Sequence, residues 1–186
     1  GLLTLDDMTG VDPPLSFQFL ADTPDHHTPG AVVTGHHRGL ITINIAEADD
    51  AERERRRVEL DEPYRTVVGH LRHEVGHHYW DRLIGPTRRL QGFREVFGDE
   101  RADYARALDV HYREGPRPQW RDQYVSAYAS AHPWEDWAET WAHYLHMIDS
   151  LETAYESGLW IQPHRGSDPQ FSPKRPFSTH RLGRFP

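Results

Sequence analysis

Residues 70–84 read HLRHEVGHHYWDRLI, and within them His73-Glu74-Val75-Gly76-His77 spells HExxH. The run sits in a segment of helical period. Val67, Val68, Leu71, Val75, Tyr79 and Leu83 form its apolar stripe, with Pro63 suited to a first turn and Gly85-Pro86 to a stop. Residues four apart stack on one helix face, so His73 and His77 can aim two imidazoles at one ion. Glu74 lies about 60° of helix arc from His77, close enough to reach a metal-bound water without being a ligand. Zinc lowers the pKa of such a water to roughly 7. A neighbouring carboxylate can take its proton and pass it to a leaving amine. Gly76, lacking a side chain, permits close approach of another backbone.

Two downstream stretches can supply a third ligand. In the nearer, EVFGDERAD (95–103), Glu100 follows His77 by 23 residues. Asp99 and Glu100 also suit the start of a helix, as cap and dipole partners. The farther stretch is YASAHPWEDWAETWAH (128–143), where Glu135, Glu139 and His143 are spaced four apart among Trp and Ala. Carboxylates in so apolar a setting are costly to bury unless paired or ligated, which favours the farther stretch. His143 is a rival ligand there, since imidazole is a preferred zinc donor.

Composition narrows the chemistry. The chain has 186 residues, 14 His and no Cys. That excludes disulfides, thiolate zinc sites, iron–sulfur clusters and a cysteine nucleophile, and leaves imidazole, carboxylate and water as ligands. A deformylase-type site, which recruits a Cys ligand to HExxH, is excluded with them. The formal charge of −8 argues against nucleic acid as a partner. No apolar run is long enough for a membrane span, and the first residues lack the pattern of a signal peptide. A cytoplasmic location is the default expectation.

The rest of the chain predicts an α+β domain, mainly helical, with a small N-terminal β-sheet. Residues 15–20 read as a short strand. Ala31–Thr34 and Leu40–Ile45 read as strands flanking a loop, Gly35–Gly39. The strand 40–45 is either an edge that pairs with an extended peptide or an internal strand. Residues 46–60 read as a charged, solvated helix. Further helices are expected over 99–113, with Asp99 as cap, near 121–131, and from His132-Pro133 to about 157. Residues 1–161 form one domain. The tail, 162–186, has five Pro and five basic residues against one Asp, and reads as an extension that either wraps, covers the cleft or is solvated. Among the other histidines, His70 either supports the site from one turn away or simply packs. His78 reads as structural and His132 as a turn residue. The doublets His26-His27 and His36-His37 read as exposed loop residues.

The run HLRHEVGHHYWDRLI, then FGDERADY, then SAYASAHPWEDWAETWAHYLH, resembles the bacterial putative zinc-binding metallopeptidase family, over most of residues 17–155. The farther stretch is also similar to the catalytic domain of anthrax lethal factor and to the Mlc titration factor peptidases. In those, a Tyr precedes a zinc-binding Glu by seven residues, as Tyr128 precedes Glu135 here. One position departs: Asp136 stands where the pattern has an aromatic. The resemblance implies a zincin-like peptidase acting on peptide or protein substrates. It implies Zn2+ held by His73, His77 and Glu135, Glu74 as general base, and Tyr128 as a phenol near the reacting carbonyl oxygen. Glu139 would hold a ligand imidazole from behind. Family members often carry an N-terminal cysteine-rich zinc segment, so a chain without Cys is expected to be a fragment or a shorter member. The alternative to an enzyme is a peptide-binding module that keeps a zinc site. An intact Glu74 argues against it.

Overall fold

The computed structural model describes residues 14–22, 32–59, 66–85 and 87–160. Strand β1 (Ser16–Leu20) leads to β2 (Gly35–His37) and β3 (Leu40–Asn44). β3 is central, parallel to β1 and antiparallel to β2. The alternative of an edge at residues 40–45 is thereby settled: it is an internal strand. The hairpin is tighter than the sequence suggests. His37 pairs with Leu40, so only Arg38 and Gly39 turn the chain, with φ of 47° and 82°. Two positive φ values in a two-residue turn match the twist of the flanking strands, and Gly39 meets this without strain. β2 therefore falls on Gly35–His37, and residues 32–34 lie outside it. His36 becomes a half-buried strand residue, while His37 stays exposed.

A short 3-10 helix, Ile45–Ala48, follows β3 directly, capped by the side chain of Asn44. The charged segment continues as α1 (Asp50–Glu59), where Glu52–Arg55 and Glu54–Arg57 pair along the exposed surface. Glu47 is the exception to the solvated reading, being buried.

Helix α2 (Val67–Leu83) carries HExxH, and Thr66 caps it by accepting from the Gly69 N–H at 2.9 Å. Of the expected apolar stripe only Tyr79 is buried; Val67, Leu71, Val75 and Leu83 are half-buried. His73, Glu74, Gly76, His77, His78 and Tyr79 are buried, whereas Val68 is 53% exposed. The polar motif faces the interior because it meets α5 (Pro133–Glu156), the long helix that bears the downstream carboxylates. His132 caps α5, its Nδ1 accepting from the Trp134 N–H, and Pro133 opens the first turn.

Between them lie α3 (Leu90–Phe97) and α4 (Tyr104–Glu114). α3 was not expected from the sequence; Phe93 and Phe97 stack on one another and turn onto Trp80 and Trp137. α4 starts at Tyr104 and not at 99, because Asp103 is the residue that caps it. Asp99 instead closes a turn by binding Arg101. The helix expected near 121–131 is two short 3-10 turns, Trp120–Asp122 and Tyr128–Ser130. His26-His27, Pro63 and the tail at 162–186 lie outside the described residues.

Gly76 sets the spacing of α2 and α5. A Cβ there would lie 3.1 Å from the Ala138 Cα and 3.2 Å from the Trp141 Cβ. The Trp137 indole N–H donates to the Gly76 carbonyl at 2.9 Å, and Tyr79 stacks on Trp141. The two helices are thus clamped where HExxH meets the carboxylate helix. Gly76→Val inserts three carbons where backbone blocks the way, and overpacking of this kind costs about 1–3 kcal/mol. The variant is expected to melt several degrees below wild type, at about 2–4 °C per kcal/mol for a chain of this size. An unchanged melting temperature by circular dichroism would show that the helices do not approach this closely.

Candidate metal centre

α2 and α5 bring three ligand atoms to one point. The Nε2 atoms of His73 and His77 are 3.0 Å apart, and Glu135 Oε2 lies 3.0 Å from the first and 3.5 Å from the second. All three residues are buried, Glu135 to 1% exposure. Tetrahedral zinc, with bonds of about 2.0–2.1 Å, holds its ligand atoms about 3.3 Å apart. The observed spacings bracket that value. Among the described residues, this is the group of His, Asp and Glu atoms close enough together to hold a metal ion. The donors are of the right kind as well: two imidazole nitrogens and one carboxylate oxygen.

Neighbouring groups aim these atoms. Glu139, one turn beyond Glu135, receives the His73 Nδ1–H at 2.7 Å. With that nitrogen committed, Nε2 is the His73 atom that faces the cluster. Tyr104 donates its hydroxyl to Glu135 Oε1 at 2.7 Å, which leaves Oε2 turned toward the histidines. Trp134 lies against the His77 ring, with centroids 4.2 Å apart. Neither Tyr104 nor Trp134 was expected from the sequence. Tyr104 belongs to a different helix from its partner, so no spacing rule links the two.

A buried carboxylate, Glu135, and a half-buried one, Glu139, meet two imidazoles here, and the charges settle accordingly. Burial alone would raise the Glu135 pKa, but close contacts from His73 and His77 override it and hold the carboxyl well below its usual range. Burial would lower His73, but Glu135 and Glu139 hold it well above the usual imidazole value. The site therefore calls for positive charge between the carboxylates, which a divalent cation supplies as a proton does. Glu74 is 5% exposed; burial opposes its ionisation, but His70, His73 and His77 lower its pKa and keep it a carboxylate.

Tyr128 stands over the site from the 3-10 turn, its ring 5.9 Å from that of His73. Burial first, and the charge of Glu135 second, push its pKa up, so it remains a protonated phenol. His36, expected in an exposed loop, lies beside His77 and His78 with ring centroids at 6.5 and 5.8 Å. The tight hairpin places it on the face of β2 toward α2. Burial, with His77 and His78 next, lowers its pKa to about 4, so it is neutral near pH 7.

The rival ligands are engaged elsewhere. Glu100 forms a forked ion pair with Arg94. His143 turns its Nδ1–H to the Glu139 carbonyl at 2.8 Å. His78 packs against Tyr79 and His36, and the His132 Nε2–H reaches the Ala102 carbonyl at 3.1 Å. Asp136, at the position departing from the aromatic pattern, is buried, and burial raises its pKa to about 6.

Three known proteins are similar to this chain. Uncharacterized proteins from Mycobacterium bovis and from two strains of Mycobacterium tuberculosis are each 53% identical over 146 residues. That span is 78% of this chain and 41% of each relative, so the chain spans about two fifths of the length of the relatives it matches. No solved structure matches. Among the described residues, no helix is long and apolar enough to cross a membrane. The sequence profile of one family matches residues 1–181, nearly the whole chain. The chain belongs to the family described as putative zinc-binding metallo-peptidases.

Proposed function

We propose that this domain is a zinc-dependent peptidase of zincin type, with His73, His77 and Glu135 as the ligands. The observation that carries this reading is the convergence of Nε2, Nε2 and Oε2 at zinc-like spacing, with the ionised Glu74 on the same helix. When bound, zinc lowers the pKa of water and polarises a carbonyl. The protein groups do the rest. Glu74 takes a proton from the attacking water as its oxygen bonds to the peptide carbonyl carbon. It then returns that proton to the amide nitrogen as the C–N bond breaks. The protonated phenol of Tyr128 donates to the oxygen that gains negative charge. Glu139 keeps His73 in the tautomer that ligates, and Tyr104 keeps Glu135 Oε2 directed inward. The substrate is a peptide or protein chain.

Metal content gives the first check. Wild type is expected to retain about one zinc per chain, the single-site stoichiometry. Glu135→Ala should lose it, Glu100→Ala should keep it, and Tyr104→Phe should weaken affinity about 10–100-fold. Zinc kept in Glu135→Ala and lost in Glu100→Ala would reverse the ligand assignment.

Cleavage of a proteome-derived peptide library gives the second. Glu74→Gln should keep its zinc and lose about 10²–10⁴-fold in kcat, the usual worth of a general base. Tyr128→Phe should lose about 10²-fold. A zinc-loaded wild type that cleaves nothing in the library would favour the peptide-binding module.

A further inference from the structure

A further buried carboxylate lies behind the HExxH helix and is not needed to hold a metal. Glu47 sits on the 3-10 helix that follows β3 and is 4% exposed. Its Oε1 accepts from the Thr34 hydroxyl at 2.6 Å, and its Oε2 receives the His70 Nδ1–H at 2.7 Å. Thr34 is fixed in turn: its Oγ1 accepts from the Asn44 N–H at 3.0 Å. Asn44 is fully buried, binding the Val32 carbonyl at 2.8 Å and capping the 3-10 helix through the Ala46 N–H. The sheet thus presents the Glu47 carboxylate at a fixed place. His70, its Nδ1–H given to Glu47, also turns its Nε2–H toward Glu74 Oε1 at 3.5 Å, an ion pair made by the imidazolium form.

We propose that His70, held by Glu47, fixes the orientation of the Glu74 carboxylate, making Glu47 and His70 positioning residues for peptide hydrolysis. The catalytic part of this proposal rests on Glu74 being the base. A glutamate reaches its carboxylate through a flexible chain, so a base on such a chain needs its rotamer held by its surroundings. Neither His73 nor His77 hydrogen-bonds it: their Nε2 atoms face Glu135, the His73 Nδ1–H goes to Glu139, and the His77 Nδ1 has no hydrogen-bond partner. His70 approaches from one turn earlier, from the side of the sheet. A carboxylate as buried as Glu47 costs stability unless paired, and an apolar residue would fill its place without that cost. Its pairing to the imidazole that faces Glu74 gives it a use.

Side-chain length separates positioning from packing. Gln at position 70 places its amide nitrogen near the Nε2 position and keeps the contact to Glu74. Asn places it near the Nδ1 position and keeps only the contact to Glu47. Four zinc-loaded variants, His70→Gln, His70→Asn, His70→Ala and Glu47→Gln, are compared with wild type by crystallography, zinc content, melting temperature and peptide kinetics. His70→Ala and His70→Asn should lose about 10–100-fold in kcat with KM and zinc content kept, and their Glu74 carboxylate should leave its wild-type rotamer. His70→Gln should hold that rotamer and recover most of kcat, and Glu47→Gln should fall between. An unmoved Glu74 with wild-type kcat in His70→Ala overturns the proposal. So does a loss of activity that follows melting temperature or zinc content equally in Gln, Asn and Ala. Glu74→Gln is assayed alongside. If it cleaves at the wild-type rate, Glu74 is not the base, and the crystallographic rotamers alone then decide whether His70 positions it.

Discussion

The structure turns on one buried carboxylate. Glu135 is almost wholly removed from water between two imidazoles, and an ionised carboxylate in such a place costs several kcal/mol unless positive charge faces it. Its neighbours are arranged around that demand. His73 and His77 face Oε2, Tyr104 binds Oε1, and Glu139 fixes the far nitrogen of His73. Removing any one of these leaves a buried polar group unpaired, which costs more than the contact itself contributes. The same cluster that concentrates negative charge is the one whose atoms are spaced for a metal ion.

That arrangement requires two helices to pack closer than ordinary side chains allow. Gly76 supplies the room, and its carbonyl receives the Trp137 indole. The aromatic residues of α2, α3 and α5 then fill the flanks, with Phe93, Phe97, Trp80, Trp137 and Trp141 in ring contact. The sheet and the 3-10 helix that follows it play a smaller part, presenting His36 and Glu47 to α2.

Helices with strong local signals were legible in the sequence. HExxH fixed the face of α2, and His132-Pro133 marked the start of α5, because spacing and capping are local. The farther carboxylates stood out because charge among Trp and Ala is costly to bury. What escaped depends on partners distant in the chain. The α2 apolar stripe marks the helix but not its most buried positions: Tyr79 is buried and Val68 exposed, while the polar motif is buried. Tyr104 and Glu47 earned no notice because their partners lie 31 and 23 residues away. His36 was misplaced with its strand: β-branched residues at 31–34 suggested pairing that the two-residue turn assigns to 35–37.

Anomalous diffraction at the zinc absorption edge, from crystals of the zinc-loaded protein, locates the ion without reference to activity. We expect one strong peak bonded to His73 Nε2, His77 Nε2 and Glu135 Oε2 at about 2.0–2.2 Å, with a fourth position free of protein ligands. A peak bonded to Glu100, a fourth bond from His143, or no peak between α2 and α5 would contradict it.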